Sequence, residues 1–178
     1  WRNSFASIQM LTGKTPIDMD HIDETKIVSM MGLVESHYYH RYSDYTGYLW
    51  TEEGFKSEDA KEPDDRANAL AILSGLAEKE QYDTIKNVLT TTQNSSPYME
   101  YYVLEALCKM GEYELAKDRI KDRYEGMVSA DYSTLWEFWD AWRGTKNHAW
   151  SGGPLVIMSK HFAGITPIAA GYEKVKIE

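Results

Sequence analysis

The 178-residue sequence has one cysteine, five prolines and a shortage of positive charge. Its 19 lysines and arginines stand against 28 aspartates and glutamates, for a formal net charge of −9. Cys108 alone excludes an intrachain disulfide. It sits in an apolar helical pattern with Val103, Leu104, Ala106, Leu107 and Met110, reads as a small core residue and says little about redox compartment. The acidic balance leaves no basic patch to neutralise phosphates, so no nucleic acid is expected as a partner. The small basic clusters at 117–123 and 174–176 alternate with acids and read as solvated faces. No apolar run approaches the roughly 20 residues that span a bilayer, the longest covering 154–158, so no membrane partner is expected. A signal-peptide pattern is also missing. Cofactor and metal motifs are scarce too. Gly13-Lys14-Thr15 lacks the first glycine and the preceding strand of a phosphate loop. His37 and His40 have a usable ligand spacing, but no carboxylate or cysteine pattern accompanies them or His21. Neither a cofactor nor a metal is expected.

Aromatic residues are plentiful, at 13% of the chain. Four of the six tryptophans (Trp136, Trp139, Trp142 and Trp150) fall in one window. That window runs through Ser133-Thr134-Leu135-Trp136-Glu137-Phe138-Trp139 to Asn147-His148-Ala149-Trp150-Ser151-Gly152-Gly153-Pro154, so a carboxylate and a histidine share it. Such a set suits a sugar. The C–H faces of a pyranose stack on flat rings, its hydroxyls need a few placed polar groups, and a carboxylate can move protons at the anomeric centre. The competing reading is an aromatic core with one glutamate at its rim.

Along the chain, helical spacing dominates. A short helix is read at 4–11 and a longer one at 20–42, where Ile27, Met30, Met31, Val34 and Tyr38 recur. Residues 47–63 form a polar connection with two brief extended pieces around Trp50 and Phe55. Trp50 is either a wall residue or a loop pin. A helix with a small-residue face (Ala67, Leu70, Ala71, Ser74, Ala77) starts at the acidic cap Asp64-Asp65, with Asp65-Arg66 read as an ion pair. Further helices follow from Tyr82, from Pro97 to the stop at Gly111, and over 112–127 with Ala116, Ile120 and Tyr124 inward. The tryptophan stretch enters a helix that places Glu137 near its N-terminus. A last helix covers 154–162, and 171–178 alternates as a strand. The predicted class is all-α, with about six helices in antiparallel hairpins and no repeat of solenoid period.

The motif Thr134-Leu135-Trp136-Glu137-x-Trp139, then Asn147-His148-x-x-x-Gly152 and Gly164-Ile165-x-Pro167-x-x-x-Gly171-Tyr172, resembles the C-terminal half of the catalytic domain of bacterial alpha-L-rhamnosidases, glycoside hydrolase family 78. Asp64-Asp65-Arg66-Ala67-Asn68-Ala69-Leu70-Ala71 and Gly75-Leu76-Ala77 match as well. The resemblance covers about 47–172, with 1–46 only weakly assigned, and treats 1–178 as one domain. It implies half of an (α/α)6 toroid of the six-hairpin glycosidase type. The missing initial methionine then fits a piece of something longer.

The resemblance implies an inverting glycosidase. In that chemistry one carboxylic acid protonates the leaving oxygen, while a carboxylate roughly 6.5–9.5 Å away deprotonates water on the opposite face. The family's base carries over to Glu137. His148 resembles a residue that hydrogen-bonds the sugar, with Asn147 beside it, and Trp136 and Trp139 would form part of the wall. Asp65 and Arg66 are further candidates for substrate contact, and Tyr98, Glu100 and Tyr101 stand behind them. The family's Asp-x-Pro-x-x-Glu segment, which holds the acid, is not found here. The Gly152-Gly153-Pro154 run also departs from many members, leaving the sugar preference open. The expected substrate is a rhamnose-containing glycoside. The expected protein partners are the remainder of the catalytic domain and, for the open half-toroid alone, a second copy. The compartment stays open, with the resemblance leaning towards a periplasmic or extracellular one. The alternatives are a non-catalytic all-α carbohydrate-binding or interaction module, and another toroid enzyme using a tyrosine or histidine base.

Overall fold

The computed structural model describes residues 48–57 and 60–178. The helices expected at 4–11 and 20–42, with Gly13 to Thr15, His21, His37 and His40, lie outside the described residues. The two extended pieces form an antiparallel hairpin, β1 (Tyr48–Thr51) and β2 (Gly54–Ser57), with Trp50 paired to Phe55. Trp50 packs edge-on against Phe55, ring centroids 5.1 Å apart, and so pins the hairpin. A side chain does the rest. Asn68 Oδ1 accepts from the Phe55 amide at 2.9 Å, and Asn68 Nδ2 donates to the Phe55 carbonyl at 2.8 Å. Gly54 has φ +127°, and a Cβ there would come within 3.0 Å of both Asn68 Oδ1 and Val88 Cγ2, so this close approach needs glycine.

The fold is all-α, with two small sheets at its ends. Among the described residues the α-helices are α1 (Asp65–Ser74), α2 (Tyr82–Thr91), α3 (Pro97–Lys109), α4 (Tyr113–Ser129) and α5 (Gly153–Ile157). Their ends follow the sequence signals. Asp64 caps α1 by accepting from the Arg66 amide at 2.8 Å, and Gly75 closes it in the left-handed conformation. Ser96 caps α3, with Pro97 at its first position. The expected last helix starts one residue early, at Gly153, and after Ile157 it widens into a π turn, Met158–Phe162. The C-terminal strand is β4 (Val175–Ile177), and its antiparallel partner, unforeseen from the sequence, is β3 (Ile165–Pro167).

Helix α3 is the centre of the packing: it lies against α1, α2, α4 and α5. Helix α1 is buried nearly all round, from Ala67 through Leu73, and not only along its small-residue face. The core joins Ile72 and Leu73 to Ile85, Leu89, Leu104, Leu107, Ile120 and Ile157. Each such aliphatic side chain contributes roughly 1.5–3 kcal/mol by leaving water. Cys108 lies in this core, where burial pushes its thiol up to about 11.

One polar knot is enclosed by the helices. Arg119 of α4 donates from Nη2 to Asp65 Oδ2 at 2.7 Å and from Nε to Glu100 Oε1 at 2.5 Å. Its Nη1 donates to the Thr92 carbonyl at 2.8 Å and to the Leu89 carbonyl. Ser95 donates its hydroxyl to Glu100, and its amide reaches Asp65 at 3.3 Å. The sequence reading paired Asp65 with Arg66. That pairing is corrected here: Arg66 turns back to Asp64, at 2.8 Å from Nε, and Asp65 points inward to Arg119. The reason is direction. Successive helix positions point about 100° apart, so Asp65 and Arg66 do not face each other. Burial pushes the Asp65 carboxyl above its ordinary range, against the pull of Arg119. Burial works against the Arg119 charge too, but the bonds to Glu100 and Asp65 outweigh it and hold that charge more firmly than usual.

Replacing Arg119 leaves buried Asp65 without its cation and Glu100 with only Arg123, 3.6 Å away. Arg119→Met is expected to lower unfolding free energy by about 3–5 kcal/mol in urea titrations. Lys121→Met, which removes only an exposed pair with Asp118, should stay within about 0.5 kcal/mol. Equal losses in the two variants would contradict this account of the knot.

Candidate functional site

The tryptophan stretch does not continue as a helix. Residues 130–148 run as bends and turns, so Glu137 does not open a helix of its own. Tertiary bonds replace the helical ones. The Glu137 amide donates to the Thr145 carbonyl at 2.9 Å, and the His148 amide to the Leu135 carbonyl at 3.0 Å. Thr134 donates its hydroxyl to the Lys146 carbonyl, and Ser151 donates to the Trp136 carbonyl. The stretch is thereby stitched back on itself, with Glu137 and His148 on facing segments.

The loop is tied to the helical body at the Ser95 carbonyl and by ring contacts around it. Trp139 Nε1 donates to the Ser95 carbonyl at 2.7 Å, and Arg123 Nη2 donates to the same oxygen at 2.6 Å. The Arg123 guanidinium also lies over the Trp139 ring, 4.1 Å from its centroid, and Tyr124 meets that ring edge-on at 5.0 Å. Trp136 packs with Tyr124 and Met127 and is only 4% exposed. Trp136 and Trp139, both expected in a sugar wall, are thus spent largely on anchoring. Trp150 and Tyr98 are exposed, with rings 5.4 Å apart, and Trp142 is almost fully exposed; Tyr102, 5.8 Å from Tyr98, is partly buried against the core.

The polar groups gather beside these rings. Glu137 Oε2 accepts from the Thr145 amide at 3.0 Å and lies 3.8 Å from His148 Nδ1. The Thr145 hydroxyl is 2.6 Å from that nitrogen. The His148 ring lies on Trp150, centroids 3.9 Å apart. Glu137 and His148 are partly open, with side chains 23% and 28% exposed. Asn147 is exposed next to His148. A part-open carboxylate with a donor fixed to one oxygen and an imidazole within 4 Å can accept a proton from a bound hydroxyl or water.

The other candidates stand apart from this group. Asp65 is fully buried in the Arg119 knot, and so is Glu100. Arg66 is 23% exposed and bound to Asp64. Tyr101 is half-buried, its ring against Tyr102. Among the described residues, no group of three or more histidine, cysteine or acidic side chains is arranged to hold a metal ion. No helix among them is long and apolar enough to cross a membrane.

Comparison with known proteins gives a structural likeness. The chain is similar to the crystal structure of the GH78 family rhamnosidase of Bacillus sp. GL1, with a TM-score of 0.56 and 26% sequence identity. The fold is distantly GH78-like. The match covers 72% of this chain and 16% of that one, so the chain spans about a sixth of the rhamnosidase's length. No family model and no curated protein matches the sequence.

Sequence reasoning missed four residues that build the site: Ser95, Arg123, Gly144 and Thr145. Only Gly144 carried a local signal, as the glycine of a turn between two aromatic segments. Its φ is +65°, and a Cβ there would lie 2.6 Å from Glu137 Oε2 and 2.7 Å from Phe138 Cδ2. Gly144→Ala is therefore expected to cost more than about 1 kcal/mol in unfolding free energy, from the left-handed backbone plus the displaced Glu137. Gly152→Ala, which meets nothing within 4 Å, should change it by less than about 0.5 kcal/mol. Matching effects at the two positions would contradict this.

Proposed function

We propose that this chain supplies the base side of a glycoside hydrolase site resembling that of alpha-L-rhamnosidases. Glu137 is the general base of an inverting hydrolysis of terminal alpha-L-rhamnosides. The observation that carries the reading is the setting of Glu137: one oxygen held by the Thr145 amide, His148 beside it, and the Trp150 ring against His148. In the reaction, Glu137 takes a proton from a water that attacks the anomeric carbon. His148 and Asn147 bond sugar hydroxyls, and Trp150 and Tyr98 offer flat faces to the ring's C–H groups. Trp136 and Trp139 anchor the segment that carries Glu137. Asp65 acts from a distance by holding Arg119, and Arg66 is bound to Asp64 at the start of the same helix.

The leaving oxygen needs a separate acid, and the family's Asp-x-Pro-x-x-Glu segment has no counterpart in this sequence. The activity is accordingly proposed for a protein that combines this chain with such a segment, and the chain alone is expected to be inactive. Hydrolysis of p-nitrophenyl alpha-L-rhamnoside by the full-length protein tests the reading. Glu137→Gln should lower kcat by roughly 10²–10⁴-fold while rhamnose binding persists. A variant as active as the parent would sink the assignment. Binding of rhamnose without hydrolysis by the parent would favour a non-catalytic carbohydrate-binding module.

Helix α5 turns Leu155 and Val156 to solvent, and Ile168 and Tyr172 are exposed near the C-terminus. In a complete toroid such faces are covered by neighbouring hairpins. The isolated chain is therefore expected to sediment as a dimer or larger at micromolar concentration. A monomer would count against the half-toroid reading.

A further inference from the structure

Thr145 stands between the two polar groups of the site. Its Oγ1 lies 2.6 Å from His148 Nδ1 and 3.4 Å from Glu137 Oε2, and its amide donates to the same Oε2 at 3.0 Å. A hydroxyl has one proton to give, and an ionised carboxylate can only accept. If the hydroxyl proton went to Nδ1, an Oγ1 lone pair would face the charged oxygen of Glu137. Directed at Glu137, it leaves Oγ1 an acceptor, and the 2.6 Å contact then requires a proton on Nδ1. The charged groups nearby are already engaged. Asp140 is bound by Arg143 at 2.7 Å, and Lys146 donates to Tyr132 at 2.6 Å. From α3, Tyr98 faces Trp150, which covers the His148 ring.

We infer that Thr145 is a positioning residue: its hydroxyl fixes Glu137 and, in the same stroke, holds His148 in the Nδ1–H tautomer. Nε2 is then the basic nitrogen of the ring, so His148 accepts a hydrogen bond from a sugar hydroxyl and does not donate one. The consequence for catalysis rests on the rhamnosidase-like reading above; the tautomer does not. Thr145→Val removes the hydroxyl and keeps the backbone N–H that Glu137 uses. Thr145→Ser keeps both.

The test reads the His148 ring-nitrogen shifts by ¹⁵N NMR on the 178-residue chain, at a pH where the imidazole is neutral. The parent and Thr145→Ser should show Nδ1–H, and Thr145→Val should revert to Nε2–H. An Nε2–H ring in the parent, or an unchanged ring in Thr145→Val, would overturn the inference. In the full-length protein, Thr145→Val should lose roughly 10- to 100-fold in kcat, the size of one hydrogen bond to a charged group. KM should stay within about threefold, and serine should restore the rate. If the full-length protein hydrolyses no rhamnoside, the functional reading fails while the ring-nitrogen result still decides the tautomer.

Discussion

The structure depends on the guanidinium of Arg119, buried between Asp65 and Glu100. These three side chains come from α4, α1 and α3, so one cation sets the mutual position of three helices. Taking such charges out of water is expensive, and the arrangement survives only because nearly every donor has a partner. Arg119 bonds two carboxylates, the Ser95 hydroxyl and two backbone carbonyls. Glu100 also accepts from Ser95, and Arg123 stands 3.6 Å from it. With Arg123 included, the cluster is two acids against two bases, so charge balances, although Asp65 Oδ1 and Arg123 Nε are buried without a hydrogen-bond partner.

The knot also determines where the site lies. Ser95 belongs to it through its hydroxyl and amide, and its carbonyl is the atom on which Trp139 and Arg123 converge. An irregular segment such as 130–148 has no ladder of its own to hold it. Its position relative to α3 comes from this one carbonyl, the Arg123–Trp139 stacking and the burial of Trp136. Glu137, Thr145 and His148 inherit that position. A rigid anchor close to a part-open carboxylate is what a site needs if its base is to be held to a fraction of an ångström.

Much of the fold was legible in the sequence because its signals are local. The caps at Asp64 and Ser96, the stop at Gly111, and the apolar spacing of α3 and α4 are each decided within a turn or two of chain, whereas the face of α1 was read on to Ala77, past its end at Gly75. The knot was not legible: Arg119 lies 54 positions from Asp65, and nothing near Asp65 distinguishes it from Arg66 as a partner. The tryptophan segment was misread for a related reason. Its residues tolerate a helix locally, and what excludes one is a set of bonds to Thr145, Ser151 and Ser95 that only the folded chain brings near. The motif around Glu137 and His148 named residues that the fold does bring together, but not Thr145, which links them. Trp136 illustrates the limit of composition, since a tryptophan in an aromatic window can be a platform or an anchor, and only its 4% exposure separates the two.

The central claim is that the Ser95 carbonyl holds the Glu137 loop to the helical body through Trp139. Amide hydrogen exchange in Trp139→Phe tests it most directly, because the phenyl ring keeps an aromatic face towards Arg123 and Tyr124 while the indole N–H is lost together with one ring of the side chain. The Glu137 and His148 amides are expected to exchange roughly 10-fold faster, the equivalent of one lost hydrogen bond, while α3 amides keep their protection. Unchanged exchange at Glu137 and His148 would contradict the claim.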